Sequence, residues 1–189
     1  MKIFVFDTET NGLHGASCLE FYGVKYYYEN NEVVNTEEIH RYYFPDEGYF
    51  NMRACSINGL SEVIISEKRE GCDYPEHFKQ DIHIQQFVAD VDMFVAHNIN
   101  FDLQYIDKSY LNDDVIYFDT MRENRDLMKM KTPRGFKLPK LIEAAEFYNL
   151  NPEIDNFHGA KYDVEITSKI FFKMIEKNLV KHDLNKWIN

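Results

Sequence analysis

The sequence predicts an α/β fold with a mixed sheet, in which an antiparallel meander is followed by parallel strands with helices packed on them. Two observations predict it. Residues 2–44 contain three β-favouring segments separated by turn residues, without a helical pattern between them. From residue 93 onward, short apolar runs alternate with segments of helical periodicity. Such a succession is typical of strands that are joined by helices lying on the sheet.

The meander is predicted from three strands in order. An apolar run at residues 3–6 continues to the turn signal Asn11-Gly12, which indicates a buried strand. Residues 18–28 and 33–44 are rich in aromatic and other β-favouring side chains, and a polar turn at 29–32 separates them.

The later elements are shorter. Strands are predicted at 93–96 and 115–118, and helices at 52–65 with a break at Asn58-Gly59, 75–89, 98–110, 121–128, 138–148 and 160–178. Residues 129–137 mix basic side chains with Pro133 and Gly135, which predicts a flexible loop. The basic residues of the longer stretch 129–140 are explained equally well by contact with phosphates and by exposure to solvent.

Size and composition favour one globular domain over residues 1–189. The hydrophobic fraction of 44% provides a sizeable core. The formal net charge of -11 argues against a broad basic surface for nucleic acid. It is compatible with an enzyme that binds a short single-stranded end through metal ions and a few local contacts.

Cysteine usage and hydropathy point to the cytosol. The three cysteines are odd in number and widely spaced, so a disulfide framework or zinc site is not expected. No secretory signal is evident, and no apolar run approaches the ~20 residues of a membrane helix. We therefore expect a cytoplasmic protein without a membrane partner.

The first strand carries two carboxylates at its end. Strand side chains alternate between faces, so Asp7 and Glu9 point the same way. Side by side at the end of a buried strand, these groups repel each other and lose hydration. Because a bound cation removes both penalties, the pair predicts a site for hard divalent metal.

Further acidic groups lie where other strands end or helices begin. Asp102 follows the strand that ends in His97-Asn98, and Asp163 lies at the start of the last helix. Converging carboxylates suit two Mg²⁺ or Mn²⁺ ions, which favour in-line displacement at phosphorus. His158, five positions before Asp163, has the chemistry to take a proton from an attacking water.

Three motifs together resemble those of the DEDDh exonucleases, the DnaQ-like proofreading subunits and their relatives on an RNase H-like fold. They are Asp7-Thr8-Glu9-Thr10, His97-Asn98-Ile99-Asn100-Phe101-Asp102 and His158-Gly159-Ala160-Lys161-Tyr162-Asp163. Residues 135–141 are also similar to the segment that leads into the family's penultimate helix. The motifs occur in the family's order and span almost the whole chain.

The resemblance implies specific roles. Asp7, Glu9, Asp102 and Asp163 would hold two divalent cations, Mg²⁺ or Mn²⁺, and His158 would be the general base. Thr10 would lie near the terminal 3′-hydroxyl, and Leu13 would wedge against the base. The remaining predicted substrate contacts are Thr8, Gly12, His97, Asn98 and Phe101, although for His97 a hydrogen bond within its own loop is favoured and Asn98 also suits a helix cap.

The implied reaction is 3′–5′ hydrolysis that releases nucleoside 5′-monophosphates from single-stranded or frayed DNA, in proofreading with a polymerase partner or in repair. The same chemistry on RNA is the alternative, and a non-catalytic nucleic-acid-binding module is a third possibility. One departure concerns the family's His-Gly-Ile, which reads Asn58-Gly59-Leu60 here and puts a role for the Asn58 side chain in doubt.

Overall fold

The structure is a computed structural model that describes residues 1–13, 15–153 and 159–180. Five strands of this described part form one mixed sheet in the order β3-β2-β1-β4-β5. The strands are β1 (Lys2–Thr10), β2 (Cys18–Glu29), β3 (Glu32–Tyr42), β4 (Met93–Ala96) and β5 (Ile116–Asp119). The first three are antiparallel, whereas β4 and β5 extend the sheet in parallel with β1. The predicted fold class is confirmed.

The helices follow the predicted order. They are α1 (Met52–Asn58), α2 (Glu62–Lys68), α3 (Ile82–Val88), α4 (Ile99–Asp102), α5 (Thr120–Met128), α6 (Leu141–Phe147) and α7 (Ala160–Glu176). The predicted break between α1 and α2 is confirmed, because Gly59 ends α1 with a left-handed φ of 72°.

Two predicted helices are wrong in extent. The expected helix at 75–89 is a 3₁₀ turn at Phe78–Gln80 followed by α3, because the Asp81 side chain accepts a hydrogen bond from His83 N and starts a new helix. The expected helix at 98–110 ends at Asp102 and continues as separate 3₁₀ turns.

The predicted flexible loop at 129–137 is also wrong. It forms a small hairpin of β6 (Lys131–Thr132) and β7 (Gly135–Phe136). The Thr132 hydroxyl donates to Gly135 O at 2.9 Å and closes the turn. The basic side chains of this segment thus lie on and beside a β-hairpin.

Side chains of β1 point alternately to the two faces of the sheet, and each face has its own hydrophobic core. Ile3 and Val5 pack with Val164 and Phe171 of α7. Phe4 and Phe6 pack on the opposite face, where a Cβ at Gly23 would lie 2.2 Å from the Phe4 ring. Asp7 and Glu9 continue the odd-numbered series, so they emerge on the face that α7 covers.

Among the described helices, none combines the length and the apolar character that a crossing of the bilayer would require.

Candidate active site

Three predicted metal ligands converge at the end of β1. Carboxylate oxygens of Asp7, Glu9 and Asp163 all lie within 4.8 Å of one another. Asp163 occupies the first turn of α7, and its N–H donates to Gly159 O at 3.1 Å. Since α7 packs along β1, the strand and the helix deliver their acidic side chains to one place.

Asp102 lies beside this cluster rather than within the group of three. It is buried, and its Oδ1 accepts hydrogen bonds from Thr8 N at 3.0 Å and Thr8 Oγ1 at 2.8 Å. Its charge acts on Asp7, where it is the largest electrostatic cause of a raised pKa after burial. The fourth predicted ligand therefore borders the same acidic site.

The electrostatics show the cost of holding these groups together without a cation. Burial, then repulsion from Asp102 and Glu9, holds the pKa of Asp7 well above its usual range. Burial and the nearby Asp163 raise the pKa of Glu9 to about 8. Burial raises the pKa of Asp102 to about 7, although the hydrogen bonds from Thr8 oppose the rise. A divalent cation would reverse these shifts, and an all-oxygen donor set suits a hard ion.

A cavity of about 380 Å³ opens beside Glu9, and three residues predicted to contact the substrate, Thr10, Gly12 and Leu13, line it. Its lining consists of Glu9, Thr10, Gly12, Leu13, Asn51, Arg53, Ala54, Ile57 and Asn58. The Leu13 side chain is 83% exposed at this place. Such an apolar group at the rim is available to contact a base.

The two threonines of the first motif have partners inside the protein. The Thr8 hydroxyl donates to Asp102 Oδ1, and the substrate contact of Thr8 stays a prediction. Thr10 Oγ1 donates to Gly12 O at 2.5 Å and shapes the turn below the cavity. A role for Thr10 at the 3′-hydroxyl stays a prediction.

Both ring nitrogens of His97 contact residues of other segments, whereas the sequence favoured a hydrogen bond within its own loop. Nε2 donates to Pro139 O at 3.0 Å, and Nδ1 lies 3.0 Å from Thr120 Oγ1. Burial lowers the pKa of His97, which favours the neutral ring. Both ring nitrogens are thus engaged within the protein, and a substrate contact of His97 stays a prediction.

Asn98 and Phe101 belong to the short α4 segment that delivers Asp102. Asn98 has a left-handed φ of 76° and precedes α4, but its side chain makes no capping hydrogen bond. Its N–H donates instead to Asp119 Oδ1 at 3.1 Å. Phe101 is half-buried, and substrate contacts of these two residues stay predictions.

Asp119, at the end of β5, has a structural role. Its Oδ1 accepts from the N–H groups of Met121 and Arg122 and caps α5. The predicted general base, His158, lies outside the described residues.

Sequence reasoning missed two polar residues of the site. Asn58 donates from Nδ2 to Thr10 O at 3.1 Å. Its side chain also hydrogen-bonds Glu9 and thereby opposes the rise in the pKa of that carboxyl. Glu20 lies directly opposite Glu9 in the pairing of β1 with β2. Only the strand register and the fold of α1 reveal these neighbours, although the alignment of Asn58 with the family's histidine was a signal.

A larger cavity of about 710 Å³ lies near Ser17, Phe78 and Tyr105. None of the predicted metal ligands lines it, so the smaller cavity beside Glu9 is the candidate substrate pocket.

A mixed sheet with an acidic cluster at the end of its central strand fits a metal-dependent nuclease, which hydrolyses phosphodiesters. The chain belongs to the exonuclease family of the RNase T type, whose model matches residues 4–171. The predicted DnaQ-like family is thereby confirmed, and this family is dependent on divalent metal.

Two relatives are DNA polymerases III of the PolC type. The protein of Staphylococcus aureus is 30% identical over 186 residues, which are 92% of this chain and 11% of that polymerase. The protein of Listeria welshimeri is 26% identical over 187 residues, which are 96% of this chain and 12% of that polymerase. The chain thus spans about an eighth or less of these relatives.

Solved structures share the fold. Exonuclease X in complex with 5′ overhanging duplex DNA matches with a TM-score of 0.65 and 22% identity, over 93% of this chain and 92% of that one. E. coli Exonuclease I in complex with a dA16 oligonucleotide matches with a TM-score of 0.68 and 17% identity, over 94% of this chain and 42% of that one.

Proposed function

We propose that this chain is a 3′–5′ exonuclease that removes nucleoside 5′-monophosphates from single-stranded or frayed DNA ends. The observation that carries the proposal is the convergence of Asp7, Glu9 and Asp163 oxygens within 4.8 Å, with Asp102 alongside. The PolC-type relatives support DNA rather than RNA as the substrate, and a polymerase as the partner.

Two divalent cations, Mg²⁺ or Mn²⁺, would be held by Asp7, Glu9, Asp102 and Asp163. When bound, they supply activation of a water molecule and stabilisation of charge on the leaving oxygen. Thr8 keeps the Asp102 carboxylate turned toward the site through two hydrogen bonds. His158 is proposed to take the proton of the attacking water.

The cavity beside Glu9 would receive the last nucleotide. Leu13 and Ile57 offer apolar surface to its base, and Arg53 offers positive charge to a phosphate. Asn58 anchors Thr10 and Glu9 at the boundary between the cavity and the acidic cluster. These contacts would place the terminal phosphodiester at the carboxylates.

The hairpin of β6 and β7 would contact the strand that leads to the 3′ end. Residues 129–140 include five basic side chains and no acidic one, on a chain of net charge -11. The hairpin is tied to the site because Pro139 O accepts the hydrogen bond from His97. Phe136, 44% exposed on β7, adds a ring on which a base could stack.

The test is degradation of matched DNA and RNA oligomers, labelled at the 5′ end, with Mg²⁺ or Mn²⁺. We expect stepwise shortening of DNA from the 3′ end, and losses of at least about a thousandfold for Asp7→Ala and His158→Ala. Asp126→Ala, which removes an exposed carboxylate of α5, is the matched control and should remain active.

Absence of mononucleotide release would overturn the proposal, and so would equal activity of wild type and Asp7→Ala. Faster degradation of RNA than of DNA would replace the proposed substrate with the RNA alternative.

A further inference from the structure

Glu20 is a buried acidic residue that the proposed chemistry does not use. It lies on β2 opposite Glu9, and only 4% of its surface is exposed. It is not part of the group formed by Asp7, Glu9 and Asp163. Its negative charge nevertheless raises the pKa of both Asp7 and Glu9. Since Glu20 adds repulsion to the acidic cluster, we infer that its hydrogen bonds give it a different role.

One oxygen of Glu20 binds the helix that carries Asp163. Glu20 Oε2 accepts a hydrogen bond from Ala160 N at 3.3 Å, at the first residue of α7. The N–H groups in the first turn of a helix have no partner within the helix, and Gly159 at the N-cap offers no side chain. Glu20 therefore provides, from a neighbouring strand, the acceptor that the helix lacks.

The other oxygen is held by His40. The Nε2 atom of His40 lies 2.7 Å from Glu20 Oε1, and a carboxylate oxygen can only accept here. The imidazole is itself flanked by Tyr22 and Tyr42, with ring centroids 4.9 and 4.7 Å away. These contacts join β3, β2 and the start of α7 in one chain of interactions.

Asp163 lies one turn beyond Ala160, so a displacement of the helix start would move its carboxylate away from β1. We propose that Glu20, oriented by His40, is a positioning residue that anchors α7 and sets the place of Asp163 relative to Asp7 and Glu9. The inference rests on the proposed function only in that these carboxylates hold metal.

The test measures Mn²⁺ affinity by electron paramagnetic resonance, together with kcat and KM on single-stranded DNA. Glu20→Ala should weaken Mn²⁺ binding by about ten- to a hundredfold and lower kcat more than KM. Glu20→Gln should remain within about threefold of wild type, because its carbonyl oxygen still accepts from Ala160 N and its NH2 group donates to His40 Nε2 when the imidazole carries its proton on Nδ1 instead. His40→Ala should weaken binding in the same direction but less.

Tyr22→Phe is the matched control. It keeps the ring beside His40 and removes only the hydroxyl that donates to Glu38 Oε2 at 2.7 Å on the same pair of strands. It should leave Mn²⁺ affinity unchanged. Thermal unfolding of each variant separates loss of positioning from loss of folding.

The proposal is overturned if folded Glu20→Ala binds Mn²⁺ as wild type does. It is also overturned if Glu20→Gln binds as weakly as Glu20→Ala, since the charge rather than the hydrogen bonds would then matter. Should Glu20→Ala fail to fold, wild-type Mn²⁺ affinity in His40→Ala overturns it. Mn²⁺ binding without nucleic-acid hydrolysis by the wild type would refute the proposed function and leave this inference standing.

Discussion

Thr8 and Asp102 are joined by two hydrogen bonds to a single oxygen, from the Thr8 N–H at 3.0 Å and the Thr8 hydroxyl at 2.8 Å. The strand that presents Asp7 and Glu9 thus also orients the carboxylate that α4 supplies. Both hydrogen bonds favour the charged form of Asp102 and oppose the effect of its burial. Thr8, which lies between Asp7 and Glu9, is therefore part of the proposed metal-binding arrangement.

Thr8→Val removes the hydroxyl donor and keeps the shape of the side chain. Asp102 then retains only the backbone donor, so its pKa should rise further and its affinity for a cation should fall. We expect activity about tenfold lower at limiting Mg²⁺, with recovery as Mg²⁺ is raised. Initial rates over a Mg²⁺ titration measure this. Thr132→Val, which removes a hairpin hydroxyl, is the control, and identical titrations for both variants would contradict the assigned role.

The acidic cluster predicts an unusual pH dependence of stability without metal. A carboxyl group with a raised pKa binds its proton more tightly in the folded state than in the unfolded state. Its contribution is fully present below the unfolded pKa of ~4 and is lost as pH rises through the folded values, about 7 for Asp102 and about 8 for Glu9. In EDTA, the melting temperature should therefore fall between pH 5 and pH 8.

Added Mg²⁺ or Mn²⁺ should raise the melting temperature more at pH 8 than at pH 5, because the cation takes the place of the bound protons. Asp7→Asn should weaken the dependence on pH in EDTA by removing one of the repelling charges. A melting temperature in EDTA that is flat or rises over this range would show that the carboxylates are not crowded as described.

Leu13→Ala tests the nucleotide cavity without disturbing the core. Because Leu13 is 83% exposed, the melting temperature should stay the same, whereas KM for single-stranded DNA should rise about five- to tenfold because the base no longer packs against the leucine. Met52→Ala truncates a side chain that is 87% exposed and does not line the cavity. Steady-state kinetics that are alike for both variants would remove Leu13 from the substrate site.

Charge reversal on the hairpin tests its interaction with the nucleic-acid backbone. The double variant of Lys131→Glu and Arg134→Glu should bind single-stranded DNA at least about tenfold more weakly at low salt. The slope of log affinity against log salt should decrease by ~0.7 for each phosphate that the variant no longer neutralises. Reversal of Lys169 and Lys177, two exposed lysines of the α7 region, is the matched control. Equal salt slopes in the two double variants would exclude the hairpin from binding.

The local sequence pattern was sufficient to predict the position of a side chain where a single strand or helix determines that position. The alternation of β1 placed Asp7 and Glu9 on one face, and helical spacing placed Asp163 in the first turn of α7. The pattern failed where a side chain ends one helical segment and starts another. Asp81 does this by capping α3. The composition of residues 129–137 indicated a flexible loop. Instead, the hydrogen bond from the Thr132 hydroxyl to Gly135 O closes a turn, and the flanking residues pair as a hairpin.

Glu20 and Asn58 needed information that periodicity does not contain. The position of Glu20 opposite Glu9 follows from the register of β1 on β2, which shifts between Glu9 and Thr10. Asn58 reaches Thr10 only because Asn11 binds Tyr49 O and Asn51 N and draws the α1 segment onto the end of β1. Both relationships depend on contacts between residues distant in the chain.

The two faces of β1 carry different groups, so an insertion or deletion of one residue within this strand would be disruptive. Phe4 and Phe6 fill one side of the sheet, and Asp7 and Glu9 emerge on the other, so inserting or deleting a single codon between Phe6 and Asp7 would turn both acids to the side of the rings. Both carboxylates would then be separated from Asp163 in one event. Length variation among descendants should instead collect at the Asn30-Asn31 turn, where both residues are exposed and the backbone already reverses.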